Sequence, residues 1–141
     1  MKRLVLGLLA GTLVLGPVSA CDDVGGPCAC TEEFRVFLVT LVDQAGVPVT
    51  DASLTRTNLR TGAALEPVDG WLGLVDEGAY VVADDNMIAE FSSAGDRVLV
   101  EGANGAGTLT FSAEFRFAVP QPCACHVEKL AGPDTVVMVS Q

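Results

Sequence analysis

Hydrophobic and polar residues alternate with a period of two along most of the chain, which is the signature of strands with one face buried. The clearest case is Thr108 to Val119. Leu109, Phe111, Ala113, Phe115, Phe117 and Val119 fall on one face, with Thr108, Thr110, Ser112, Glu114 and Arg116 on the other. That predicts a half-buried antiparallel strand with one wet side. Phe34 to Asp43 is apolar on both faces and predicts a strand covered on both sides or central in its sheet. Further strands are expected at Ser53–Leu59, Trp71–Val75, Tyr80–Ala83, Arg97–Glu101, Cys125–Leu130 and Thr135–Val139. Turn signals separate them: Thr61-Gly62, Asp76-Glu77-Gly78, the glycine-rich run Gly102 to Gly107, and Gly132-Pro133-Asp134. Asp84-Asp85-Asn86 is placed to cap one helical turn, with Ile88 and Phe91 near helical spacing. Seven or eight short strands and no long helical pattern predict an all-β domain, a β-sandwich.

The first residues break this pattern. Lys2 and Arg3 precede an apolar run from Leu4 to Leu15, and small residues then lead to Cys21. This is the three-part organisation of an export signal, and its apolar core is too short to span a bilayer stably. Val18-Ser19-Ala20-Cys21 resembles the bacterial lipobox. The resemblance implies a lipoprotein signal peptide over residues 1–20, with Cys21 as the mature N-terminus. Cys21 is then diacylated on sulfur, palmitate being the usual chain, and acylated on nitrogen. Acyl chains contribute about 0.8 kcal/mol per buried methylene, so two or three of them make a durable anchor. Residues 21–27 become the lipidated Cys21 with a short linker, and residues 28–141 the folded domain. The expected location is therefore a bacterial membrane on its periplasmic or outer face, with inner versus outer membrane left open.

Cysteine count follows from that assignment. The chain has five cysteines. Giving Cys21 to the lipid leaves Cys28-Ala29-Cys30 and Cys123-Ala124-Cys125, two C-x-C pairs that bracket the domain. In extended backbone residues i and i+2 share a face, so each pair presents two sulfurs on one side. Antiparallel segments would join Cys28 to Cys125 and Cys30 to Cys123; parallel segments would join Cys28 to Cys123 and Cys30 to Cys125. The oxidising compartment favours disulfides. The alternative is a zinc or copper site built from the four thiolates of Cys28, Cys30, Cys123 and Cys125 with His126.

The chain carries eighteen Asp plus Glu against eight Lys plus Arg over 141 residues, a formal charge of −10. Phosphate contacts need clustered Lys and Arg, so nucleic acid is not an expected partner. A single histidine, His126, excludes a histidine-based zinc triad, and no G-x-S-x-G, H-E-x-x-H or P-loop occurs. No catalytic residue and no cofactor are assigned. Asp76-Glu77 and Asp84-Asp85-Asn86 are candidate calcium carboxylates whose spacing fits no EF-hand loop, and Trp71 with Tyr80 is a candidate ligand patch.

One further stretch carries a family likeness. Val39 to Leu54 contains an apolar strand, the turn Asp43-Gln44-Ala45-Gly46-Val47-Pro48-Val49 and a small residue leading into the next strand, and Gly78-Ala79-Tyr80 opens a later strand. This resembles carboxypeptidase-regulatory-like, or transthyretin-like, domains, although Glu77 stands where a Pro is common; bacterial Ig-like domains are the nearest competitor. The resemblance implies a Greek-key sandwich and no catalytic residue. Its members mostly serve as accessory or adhesive modules. The expected function is a non-catalytic structural or protein-binding role in the cell envelope, with an envelope protein as partner and the membrane held through Cys21.

Overall fold

The computed structural model describes residues 28–67 and 77–141. The expected export signal, Cys21 with its linker, the strand at Trp71–Val75 and Asp76 lie outside these residues. Eight strands are present among the described residues: β1 (Val36–Val42), β2 (Ser53–Asn58), β3 (Ala79–Asp84), β4 (Asp96–Ala103), β5 (Leu109–Ala118), β6 (Glu128–Ala131), β7 (Thr135–Val137) and β8 (Val139–Ser140). They form an all-β sandwich of two sheets, one ordered β3-β1-β7 and the other β2-β4-β5-β6, with β8 also paired to β5.

β1 is the central strand of the smaller sheet, antiparallel to β3 and parallel to β7. Val39 and Leu41, which share one face, are fully buried, whereas Leu38, Thr40 and Val42 on the other face are half-buried. β5 is central in the larger sheet and divides as its alternation predicts. Phe111, Phe115 and Phe117 are buried, while Ser112, Glu114 and Arg116 face solvent. Phe117 is the hub of the core, with ring centroids 5.4 Å from Phe37 and 5.5 Å from Phe91. Burial of each such ring stabilises by roughly 1.5–3 kcal/mol relative to leaving it exposed.

Two expected elements change. The strand expected at Cys125–Leu130 starts later, at Glu128, because Cys123 to Val127 turn back and bond elsewhere. The strand expected at Thr135–Val139 divides at Met138. β7 pairs with β1 in one sheet and β8 pairs with β5 in the other, so Met138 crosses between the sheets and is fully buried. The glycine-rich hairpin is confirmed between β4 and β5. Asn104 organises it by accepting the Thr108 and Leu109 amides, each at 2.9 Å.

The helical turn expected after β3 is a 3-10 helix, Asp85–Glu90, whose N-cap Asp84 accepts the Asn86 amide at 2.8 Å. It carries the chain from the end of β3 to the start of β4, where a polar network fills the end of the core. Asp96 is 2% exposed. It accepts Arg60 Nε at 2.6 Å and Nη2 at 2.9 Å, the Ser92 amide at 2.8 Å and the Ser92 hydroxyl at 2.9 Å. The Arg60 guanidinium, helped by Ser92, pulls the Asp96 carboxyl down to about 2 against the opposing effect of burial.

The Asp43 turn is held by its own first residue. The Asp43 carboxylate accepts the Ala45 amide at 2.8 Å and the Val47 amide at 2.9 Å, and Gly46 takes the positive φ of 80° that the turn needs. The chain leaving the turn is fastened by Tyr80, which is 8% exposed. Its hydroxyl donates to the Val49 carbonyl at 2.8 Å and accepts the Ala52 amide at 2.9 Å. Two residues earlier, Gly78 has a φ of 75°, and a Cβ there would lie 2.8 Å from the Leu41 carbonyl.

Tyr80→Phe removes both bonds while keeping the ring, and the expected loss of stability is about 1–3 kcal/mol, read from urea unfolding with an unchanged slope. Asp96 sets an acid limit. An unfolded aspartate takes its proton near pH 3.9 and the folded one near 2, so the stabilisation is present above about pH 5 and is lost as the pH falls towards 2. Wild type should therefore lose about 2 kcal/mol more than Asp96→Asn between pH 6 and pH 2 in the same unfolding measurement.

Candidate functional site

Of the residues singled out by the sequence, the four bridging cysteines, His126, Asp84 and Asp85 meet at the end of the sandwich where β1 begins and β3 ends. Two segments outside the strands, 28–35 and 119–127, run side by side there. Cys28 is bonded to Cys123 and Cys30 to Cys125, with Cα separations of 5.5 and 5.4 Å. The parallel connectivity holds, and topology gives the reason. One segment leads into β1 and the other into β6; β7 is parallel to β1 and runs on into β8, and β6 and β8 are both antiparallel to β5, so β1 and β6 leave this end in the same direction and their approaches run in the same sense. The loop closed is 95 residues in sequence separation, worth up to about 4–5 kcal/mol in the chain-entropy account.

The bridges consume the four sulfurs that a zinc or copper site would need as thiolates. Among the described residues no group of three or more His, Cys, Asp or Glu side chains is placed to hold a metal ion. The calcium candidates are employed otherwise. Asp84 caps the 3-10 helix, and Asp85 faces the two cysteine segments. Asp76 and Trp71 fall outside the described residues, and Tyr80 is a core residue.

His126 is the unexpected participant. Its Nδ1 lies 2.7 Å from Asp85 Oδ2, and its Nε2 lies 2.9 Å from Thr31 Oγ1. The imidazole is 12% exposed and the carboxylate 7%. Asp85 also accepts the Arg35 amide at 2.9 Å and the Val127 amide at 2.8 Å. Burial pushes the Asp85 carboxyl up, but the His126 hydrogen bond and the two amides outweigh it and hold the group below its ordinary range. An ionised Asp85 only accepts, so Nδ1 carries the proton and donates to it. In the neutral ring Nε2 then accepts from the Thr31 hydroxyl. One carboxylate thus ties 3-10 helix, N-terminal approach and C-terminal approach together.

Neither Thr31 nor Asp85 is marked as a partner of His126 by local spacing, since the separations are 95 and 41 residues. One trace did exist: Thr31 follows Cys30 and His126 follows Cys125, so parallel bridging brings them level. The hydroxyl–imidazole–carboxylate order is the one that activates nucleophiles. Here the hydroxyl belongs to an exposed residue. A depression of about 330 Å³ lined by Leu59, Arg60, Gly95, Asp96 and Arg97 shares no lining residue with Thr31, His126 and Asp85. Both of its guanidinium groups are committed, Arg60 to Asp96 and Arg97 to Glu114.

Asp85→Asn removes the anionic acceptor while keeping the shape. The expected result is a loss of about 1–3 kcal/mol and faster hydrogen exchange at the Val127 and Arg35 amides, with the β4 and β5 amides changed only by the global loss.

Compared with protein-family models, with curated proteins and with solved structures, the chain matches none.

Proposed function

We propose that this chain is an exported, lipid-anchored β-sandwich module with a non-catalytic structural or protein-binding role in a bacterial cell envelope. The observation that carries the reading is the pairing of Cys28 with Cys123 and Cys30 with Cys125. Such bridges persist in oxidising compartments. They also leave Cys21 as the one cysteine outside a bridge, directly after the small residues Val18-Ser19-Ala20 and the apolar run that begins at Leu4. Lipid on Cys21 accounts for the odd sulfur and for the leader with a single assignment. The polar groups of the cysteine end support a binding rather than a catalytic role, because His126, Asp85 and Thr31 are spent on holding segments together. The Asp43 turn and the Tyr80 fastening support kinship with carboxypeptidase-regulatory-like domains, whose members mostly act as accessory or adhesive modules.

The linker from Cys21 to Cys28 reaches roughly 20–25 Å, so the sandwich would ride close to its bilayer with the disulfide end inward. Expression in a bacterial host with a labelled fatty acid tests the anchor. Wild type should incorporate the label and partition with membranes, whereas Cys21→Ser should accumulate as an unlabelled, uncleaved precursor. Equal labelling of the two would overturn the reading.

A further inference from the structure

The β4–β5 hairpin carries the one Asn-Gly dipeptide of the chain, Asn104-Gly105. Asparagine is a thermolabile residue, and it cyclises most readily before glycine, which has no side chain to hinder the ring. Here both residues are held against that reaction. The Gly105 amide donates at 3.0 Å to Oδ2 of Asp51, two residues ahead of β2. An ideal Cβ on Gly105 would come 2.8 Å from the same oxygen, so any side chain there would have to push Asp51 aside. The Asn104 carboxamide is engaged as well. Its Oδ1 accepts the Thr108 and Leu109 amides, each at 2.9 Å, and its Nδ2 donates to the Thr108 hydroxyl at 3.3 Å. The two atoms that would have to meet, Gly105 N and Asn104 Cγ, therefore belong to groups bonded elsewhere. Charge acts in the same sense. Gly105 N attacks only after losing its proton, and a carboxylate hydrogen-bonded to it disfavours a second negative charge there.

We propose that Asn104-Gly105 is a self-modifying site, a deamidation centre latched by Asp51 that reacts only when the hairpin tip opens. On opening, Gly105 N gives its proton to solvent and attacks Asn104 Cγ. The new C–N bond closes a five-membered succinimide. The Cγ–Nδ2 bond breaks, and ammonia leaves with a proton taken from solvent. Water then adds to one of the two ring carbonyls and opens the ring. The product is aspartate, or isoaspartate with its main chain running through Cγ. Water is the co-reactant, and nothing is oxidised or reduced. Either product opposes reclosure. A carboxylate at position 104 puts a second negative charge one residue from the amide that Asp51 holds. Isoaspartate also adds a backbone carbon to a turn closed by the Asn104 amide on the Leu109 carbonyl at 3.0 Å and the Gly107 amide on the Asn104 carbonyl at 2.8 Å. The site thus marks irreversibly those molecules whose hairpin tip has come away from the entry to β2.

The test incubates the full-length chain in mildly alkaline buffer at body temperature, folded or in guanidinium chloride. The peptide containing residue 104 is followed by mass and by chromatographic separation of its aspartate and isoaspartate forms. Folded wild type should deamidate there at least about tenfold more slowly than the unfolded chain, since only the open fraction reacts. Asp51→Ala should raise the folded rate at least about fivefold and leave the unfolded rate unchanged. Asp51 is exposed, so this variant should keep its cooperative unfolding transition, and the wild-type comparison stands without it. Equal rates for folded wild type and folded Asp51→Ala would overturn the proposal. So would a folded wild type that reacts as fast as the unfolded chain, or faster deamidation of Asn58 or Asn86 than of Asn104 in guanidinium chloride.

Discussion

A sandwich of a three-stranded and a longer sheet has lateral edges whose unpaired backbone donors and acceptors invite a neighbouring chain, and the organisation of this molecule answers that constraint. On one side Arg56 of β2 crosses between the sheets and donates to the Val81 carbonyl of β3 through Nε at 2.8 Å and Nη2 at 2.6 Å. Burial lowers the pKa of this guanidinium, which nevertheless stays charged, and the carbonyl it binds belongs to the outer strand of the smaller sheet. The outer side of β2 is covered by residues 63–65, where Asn58 donates to the Ala63 carbonyl and Leu65 to the Arg56 carbonyl. On the other side the C-terminal segment changes sheets at Met138, leaving β7 and β8 at three and two residues. Short edges with a crossing chain offer little template for pairing.

The same economy governs the end that carries the cysteines. Approach segments cannot pair as strands there, so their backbone groups need other partners. Asp85 supplies two oxygens to the Arg35 and Val127 amides and to the His126 ring. The bridges bring these groups level, and the carboxylate then satisfies them. A covalent link and a polar one therefore depend on the same parallel register.

Much of this was legible in the chain. Alternation from Thr108 to Val119 placed β5 and its faces because one side is wet and the side-chain period is two. Asp84 and Gly46 announced a cap and a turn because both act on their own neighbouring backbone. The connectivity of the bridges was not legible, since it depends on the directions of β1 and β6, which are set by the whole topology. The division of β7 from β8 was hidden because Val136 and Met138 keep one alternation, although the backbone stays bonded to β1 through Met138 and pairs with β5 only from Val139. The Thr31–His126–Asp85 chain was hidden because its members lie far apart in sequence and their types are common at surfaces.

The Cys28–Cys123 bridge also decides how the molecule bears tension. A pull applied at Cys28 and at the C-terminal end of the described residues passes through sulfur directly into Cys123. The strands β1 to β5 lie in the bypassed loop and carry none of it. Only the eighteen residues after Cys123 can extend, about 60 Å of contour instead of several hundred. Load would peel β8, β7 and β6 in turn and stop at the bridge, leaving the aromatic core around Phe117 intact under strain.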